Sequence, residues 1–266
     1  MTLPLDAAIG QLLRAYQDGQ NLALLFDYDG TLTPIVQHPN LARLGEGTVA
    51  LLRRLTNRPR IGLGIISGRM LAELKELVSI PNVCLAGTSG LEIDLHGQQI
   101  FHPRAEEAIQ LMSNLVHNLQ QRIAHFTGAW LENKRLGLTV HYRAVAAQSH
   151  ASLQTTVSDA LTPFHHQIRV VQGPMALEIT PDLGWSKSTA VSLMVQSFAA
   201  PGNGVFYAGD GANDADALAT VAALGGIAMG VGPQVVELTD YYVPDPAALL
   251  DLLATLDSRL DLKNKQ

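Results

Sequence analysis

The chain has 266 residues, 47% of them hydrophobic and 16% charged, which is enough apolar material to bury a large core as one domain or two. Its net charge of −6 argues against a general nucleic-acid binder and leaves no basic patch for an anionic membrane. A single cysteine, Cys84, rules out an intrachain disulfide and is expected as a small core residue in a reducing compartment.

Residues 1–10 carry neither the basic start nor the apolar run of a secretory leader. No apolar run approaches the roughly 20 residues that span a bilayer. The expectation is a soluble, cytoplasmic protein, taken as a monomer. In chain order, Ile9, Leu12, Leu13 and Tyr16 predict a helix over 5–16, followed by a buried strand over 22–26. Pro34 and Pro39 punctuate a loop. A helix over 47–57 then leads to a strand over 61–66, a helix to about 79, and a third strand over 82–86. Each strand ends in small polar residues: Asp27-Tyr28-Asp29-Gly30-Thr31, then Ser67-Gly68-Arg69, then Gly87-Thr88-Ser89-Gly90. Alternation of strand and helix is the pattern of a parallel α/β sheet, whose sites form beyond the C-terminal strand ends.

The pattern changes between Pro103 and Pro181. A long helix over 104–124, with Ile109, Met112, Val116, Leu119 and Ile123 on one face, precedes two short strands over 129–133 and 137–143. A helix over 148–161 and a second hairpin, 168–171 and 175–180, follow. This αββαββ block reads as an inserted α+β domain over 103–182, splitting a Rossmann-like core of residues 1–102 and 183–266. The core then resumes with a helix over 186–198, a strand over 204–208, the run Gly209-Asp210-Gly211-Ala212-Asn213-Asp214 and a helix through 224. Short strands over 227–229 and 241–243 and a helix over 246–256 complete it, with fraying expected after about 260.

Asp27 and Asp29 lie two apart on extended backbone and so face one volume, where like charges need a cation or a proton between them. Asp210 and Asp214 add two more carboxylates across a glycine turn. Oxygen donors of this kind suit a hard divalent cation, and Mg²⁺ is the economical one. The hydroxyl and amides of Ser67 and Gly68 suit a phosphate oxygen, and Lys187 supplies a point charge for phosphate and for Asp27. Together these groups fit phosphoryl transfer. Asp27 attacks phosphorus, while Asp29 protonates the leaving oxygen and then deprotonates water.

Taken in order, Asp27 to Thr31, Ser67, Lys187 and Asp210 to Asp214 resemble the four motifs of the haloacid-dehalogenase-type phosphatases. The resemblance implies a three-layer Rossmann-like core, with magnesium held by Asp27, the Asp29 carbonyl, Asp210 and Asp214. More narrowly, DYDGTLTPI, SGR, LENK (131–134), HYR (141–143) and Leu177-Glu178-Ile179 are similar to the trehalose-6-phosphate phosphatase family. Its insert is a cap, and the likeness implies that Arg69, Glu132, Lys134, Arg143 and Glu178 contact the sugar. Gly211, Asn213 and Ala215 depart from the family's usual GDDxTDE, and Ser89 stands where the family tends to show histidine. Trehalose 6-phosphate is the expected substrate. Sucrose 6-phosphate, glucosylglycerol phosphate and glycosylglycerate phosphate stay open, as does a non-catalytic sugar-phosphate sensor.

Overall fold

The computed structural model describes residues 4–36, 38–173 and 175–263. It divides into two compact units, one of Met1–Ile100 with Ser186–Gln266 and one of Phe101–Trp185.

In the first unit the helix α1 (Leu5–Gln17) buries Ile9, Leu12, Leu13 and Tyr16. Strand β1 (Leu22–Phe26) is buried at every position, as expected of a strand covered on both faces. Leu22, Leu24, Leu25 and Phe26 are fully buried, and each contributes about 1.5–3 kcal/mol by leaving water. Next come α2 (Glu46–Thr56), β2 (Ile61–Ile66), α3 (Leu71–Leu77) and β3 (Val83–Gly87). A hairpin of β4 (Glu92–Leu95) and β5 (Gln98–Phe101) follows. Sequence periodicity gave no sign of it, because β5 is largely exposed and lacks an apolar alternation. Its turn pair did carry a signal. His96 and Gly97 both take positive φ, 54° and 89°, as a tight hairpin turn demands.

The second unit holds α4 (Ala105–Ile123), β6 (Trp130–Asn133), β7 (Leu138–His141), α5 (His150–Leu161), β8 (Ile168–Gly173) and β9 (Ala176–Pro181). Its strands form an antiparallel sheet of order β6-β7-β9-β8. The buried stripe of α4 is Ala108, Met112, Leu115, Leu119 and Ile123. Ile109 and Val116, expected on that stripe, flank it half-buried, a small rotation of the helix about its axis. Leu138, Val140, Leu177 and Ile179 meet this stripe and Leu153, Val157 and Leu161 of α5 in one core. The alternate residues Glu132, Thr139 and Glu178 stand in one row on the opposite face, each directly across from the next.

The first unit continues with α6 (Lys187–Ser197), β10 (Val205–Gly209), α7 (Ala215–Ala223), β11 (Ile227–Val231), β12 (Tyr241–Val243) and α8 (Pro246–Lys263). Helix α8 runs past the expected end at 256; the fraying expected near the terminus falls partly on residues 264–266, which lie outside the described residues. The sheet order is β12-β11-β10-β1-β2-β3-β4-β5, with parallel pairing from β12 to β3 and an antiparallel turn-back at β4. Strand β1 lies between β2 and β10, with Phe26 opposite both Ile65 and Ala208. This register brings the tips of β1, β2 and β10 to one edge.

Candidate active site

The first tip is Asp27, buried at 4% exposure, with its amide donating to the Ala208 carbonyl at 2.9 Å so that the ladder with β10 extends one residue past the strand. The chain then turns sharply at Gly30, where φ is +82° and a Cβ would fall 2.0 Å from Asp210 Oδ2. Only glycine admits that close approach of backbone to carboxylate. The third strand tip is pinned to the second. The Ser89 amide donates to the Ser67 carbonyl at 2.9 Å, and Thr88 donates to the Arg69 carbonyl at 2.6 Å. Thr88, Ser89 and Gly90 all have positive φ, so a strained turn is held there by its contacts.

Lys187 opens α6. Ser186 caps that helix by accepting from the Ser188 amide, and Thr189 closes a capping box. The Lys187 side chain is 1% exposed, and Nζ donates to Asp27 Oδ1 at 2.7 Å and to Asp214 Oδ1 at 2.8 Å. Asp214 Oδ1 also accepts from the Tyr207 hydroxyl, and Oδ2 accepts from the Gly211 amide at 3.1 Å. Asp27, Asp210 and Asp214 offer oxygens that all lie within 4.8 Å of one another.

The electrostatics of this cluster follow from burial and crowding. Burial, reinforced by Asp214 and Asp210, pushes the Asp27 carboxyl well above its usual range against the pull of Lys187. Burial and Asp214 push Asp210 up to about 7. Burial alone would discharge Lys187, but Asp214 and Asp27 outweigh it and hold the ammonium charged. Burial and the neighbouring Asp214 also raise Tyr207, which stays a hydroxyl donor. Three carboxylates facing one ammonium leave an excess of negative charge, which a proton or a hard cation resolves. The donor set is all oxygen and tightly grouped, and it fits such a cation.

Ser67 is 1% exposed at the β2 tip, and its Oγ accepts from the Arg69 amide at 3.2 Å. The expected helix N-terminus is displaced from it. Helix α3 starts at Leu71, whose amide is taken by the Glu92 carboxylate at 3.3 Å. Arg69, expected at the substrate, pairs with Asp29 and Glu73.

In the second unit His141 Nε2 lies 2.7 Å from Glu132 Oε2 and Lys134 Nζ lies 3.9 Å from the same oxygen. Arg143 sits beyond the end of β7, which stops at His141, so it is exposed and outside the row of Glu132 and Glu178. Two residues went unread in the sequence. Trp130 stacks on His141 with ring centroids 4.0 Å apart, and Tyr207 anchors Asp214. A tyrosine inside the apolar run VFYAG was the available signal, since a buried hydroxyl needs a partner.

A parallel sheet with polar tips and an α+β unit inserted between β5 and α6 is the haloacid-dehalogenase-like fold with a cap. The model of the trehalose-phosphatase family matches residues 25–239, and the chain belongs to that family. It is 32% identical over 217 residues to a trehalose-phosphate phosphatase of Mycobacterium avium, covering 80% of this chain and 54% of that protein. It is 31% identical over 240 residues to one from Mycobacterium tuberculosis, covering 89% of this chain and 58% of that protein. The chain thus spans little more than half the length of these curated relatives. The C-terminal domain of trehalose-6-phosphate phosphatase from C. albicans has the same fold, with a TM-score of 0.84 at 22% identity and 97% of each chain covered. Among the described residues no helix is long and apolar enough to cross a membrane.

Proposed function

We propose that this chain is a Mg²⁺-dependent phosphatase that converts trehalose 6-phosphate to trehalose and phosphate through an aspartyl-phosphate on Asp27. The observation that carries this reading is the buried Asp27 carboxylate, held at 2.7 Å by Lys187 at the tip of the central strand. Asp27 attacks phosphorus, the bond from phosphorus to the sugar oxygen breaks, and Asp29 gives that oxygen a proton. Asp29 then takes a proton from water, whose oxygen attacks the aspartyl-phosphate and frees Asp27. Lys187 offsets the charge of carboxylate and phosphate, and the Ser67 hydroxyl and the Gly68 amide bind phosphate oxygens. Asp27, the Asp29 carbonyl, Asp210 and Asp214 would hold Mg²⁺, which when bound neutralises charge on the transferring phosphoryl group.

The unit Phe101–Trp185 is read as the cap that selects the sugar, with Glu132, Lys134, Arg143 and Glu178 as the residues that meet it. The substrate is a small sugar phosphate, and a monomer supplies the core residues. Asp27→Asn tests the mechanism: phosphate release from trehalose 6-phosphate with Mg²⁺ should vanish while the far-ultraviolet circular dichroism stays that of the wild type. Turnover at the wild-type rate would remove Asp27 as the nucleophile.

A further inference from the structure

We infer that Arg69 is a positioning residue that holds the acid/base Asp29 in place, rather than a substrate contact. The inference rests on the reading of Asp29 given above. Arg69 is 4% exposed, whereas the Asp29 side chain is 42% exposed. Its Nε donates to Asp29 Oδ2 and its Nη2 to Asp29 Oδ1, both at 2.7 Å. This is a two-pronged fork that fixes the plane of the carboxylate as well as its distance. The fork is itself anchored, because Nη1 donates to Glu73 one helical turn along and the guanidinium carbon lies 5.3 Å from the Tyr28 ring centroid. The main chain of Arg69 is tied down too, to Ser67 Oγ and to the Thr88 amide.

A half-exposed carboxylate on a tight turn samples several rotamers, and a general acid works only when one oxygen sits within reach of the leaving atom. Arg69 is the rigid member of the pair, so it selects the Asp29 rotamer. All three guanidinium nitrogens are directed at carboxylates, two of them at Asp29. Lysine cannot replace it, since one ammonium cannot grip both oxygens in a plane.

The dependence on leaving group separates this role from general support of the fold. A sugar alcohol must be protonated as it departs, whereas 4-nitrophenolate leaves without help. Wild type, Asp29→Asn, Arg69→Lys and Arg69→Met should be compared on trehalose 6-phosphate and 4-nitrophenyl phosphate. Both Arg69 variants should lose about 100-fold in kcat on the sugar phosphate, the scale of a misplaced catalytic group, with KM little changed. Their loss on the aryl phosphate should be far smaller when read as kcat/KM, which reports transfer to Asp27 and not the later hydrolysis common to both substrates, and Asp29→Asn should show the same bias in kcat/KM. Aryl-phosphate turnover also reports that the site has folded, and Arg69→Lys decides the matter where Arg69→Met does not fold. Equal losses in kcat/KM on both substrates, or a raised KM with kcat kept, would overturn the positioning role. An unbiased Asp29→Asn would overturn the acid/base reading with it, while a biased Asp29→Asn beside unbiased Arg69 variants would overturn the positioning role alone.

Discussion

Replacing Lys187 with methionine keeps most of the side-chain volume and removes the only ammonium that the described residues place against the carboxylate cluster. The side chain is 1% exposed and bridges Asp27 and Asp214 at 2.7 and 2.8 Å. Asp27, Asp210 and Asp214 are then left within 4.8 Å of one another with no compensating charge. Breaking a buried pair in this way costs about 3–5 kcal/mol, because the orphaned charge stays buried. The cost depends on pH with a definite sign. The Asp27 carboxyl is already raised in the folded state by burial and by its acidic neighbours, and it loses the opposing pull of Lys187. A folded-state pKa raised above the unfolded value favours folding at low pH and loses that contribution as pH rises through the folded value. Asp210, raised to about 7 by burial and Asp214, loses the pull of Lys187 as well, so the deficit of Lys187→Met should be larger near about pH 8 than near about pH 5. Urea unfolding of wild type and variant across that range, with a chelator present, measures it. A deficit under about 1 kcal/mol at the alkaline end, or one that widens on acidification, refutes the argument.

Gly30→Ala should damage the same cluster from the other side, since a Cβ there would fall 2.0 Å from Asp210 Oδ2 at a φ of +82°. The left-handed conformation alone costs about 1–2 kcal/mol. Displacing Asp210 should weaken the Mg²⁺ concentration dependence of phosphate release about 10- to 100-fold, and an unshifted Mg²⁺ titration contradicts this. Cys84 is fully buried and its thiol is pushed up to about 11, chiefly by burial with a contribution from Asp94. Native protein should react with an aromatic disulfide reagent far more slowly than urea-unfolded protein, and equal rates would show that the thiol is accessible.

The strand tips were legible in the sequence because a parallel sheet sorts residues so strongly. Apolar runs such as LALLF are buried on both faces, and whatever polar residues follow them fall at one edge. Asp27, Ser67 and Asp210 are therefore grouped by sequence alone, and Lys187 joins them as the cation the cluster lacks. Directions of side chains were not legible. Arg69 lies two residues from Ser67 in sequence, but the register of β1 against β2 places its guanidinium on Asp29, 40 residues earlier. Arg143 looked like the last residue of a strand, yet β7 stops at His141. Tyr207 was hidden by its apolar neighbours, and the hairpin of β4 and β5 by a polar second strand.

Strand β1 pairs with β2, close by in sequence, and with β10, far along the chain, where Ala23 faces Val205; Asp27 and Lys187 are 160 residues apart. The cluster of Asp27, Lys187 and Asp214 is thus a contact of very high order, formed only when a late segment of the chain docks beside an early one. Such closures slow folding, yet their equilibrium cost grows only logarithmically, by about 0.6 kcal/mol for each doubling of the loop. A whole folded unit can therefore occupy the stretch between β5 and α6 at little thermodynamic expense to the sheet. A partly formed sheet of only β1, β2 and β3 would carry the Asp27 tip without Lys187 and Asp214, so the cluster is complete only once α6 and β10 have docked.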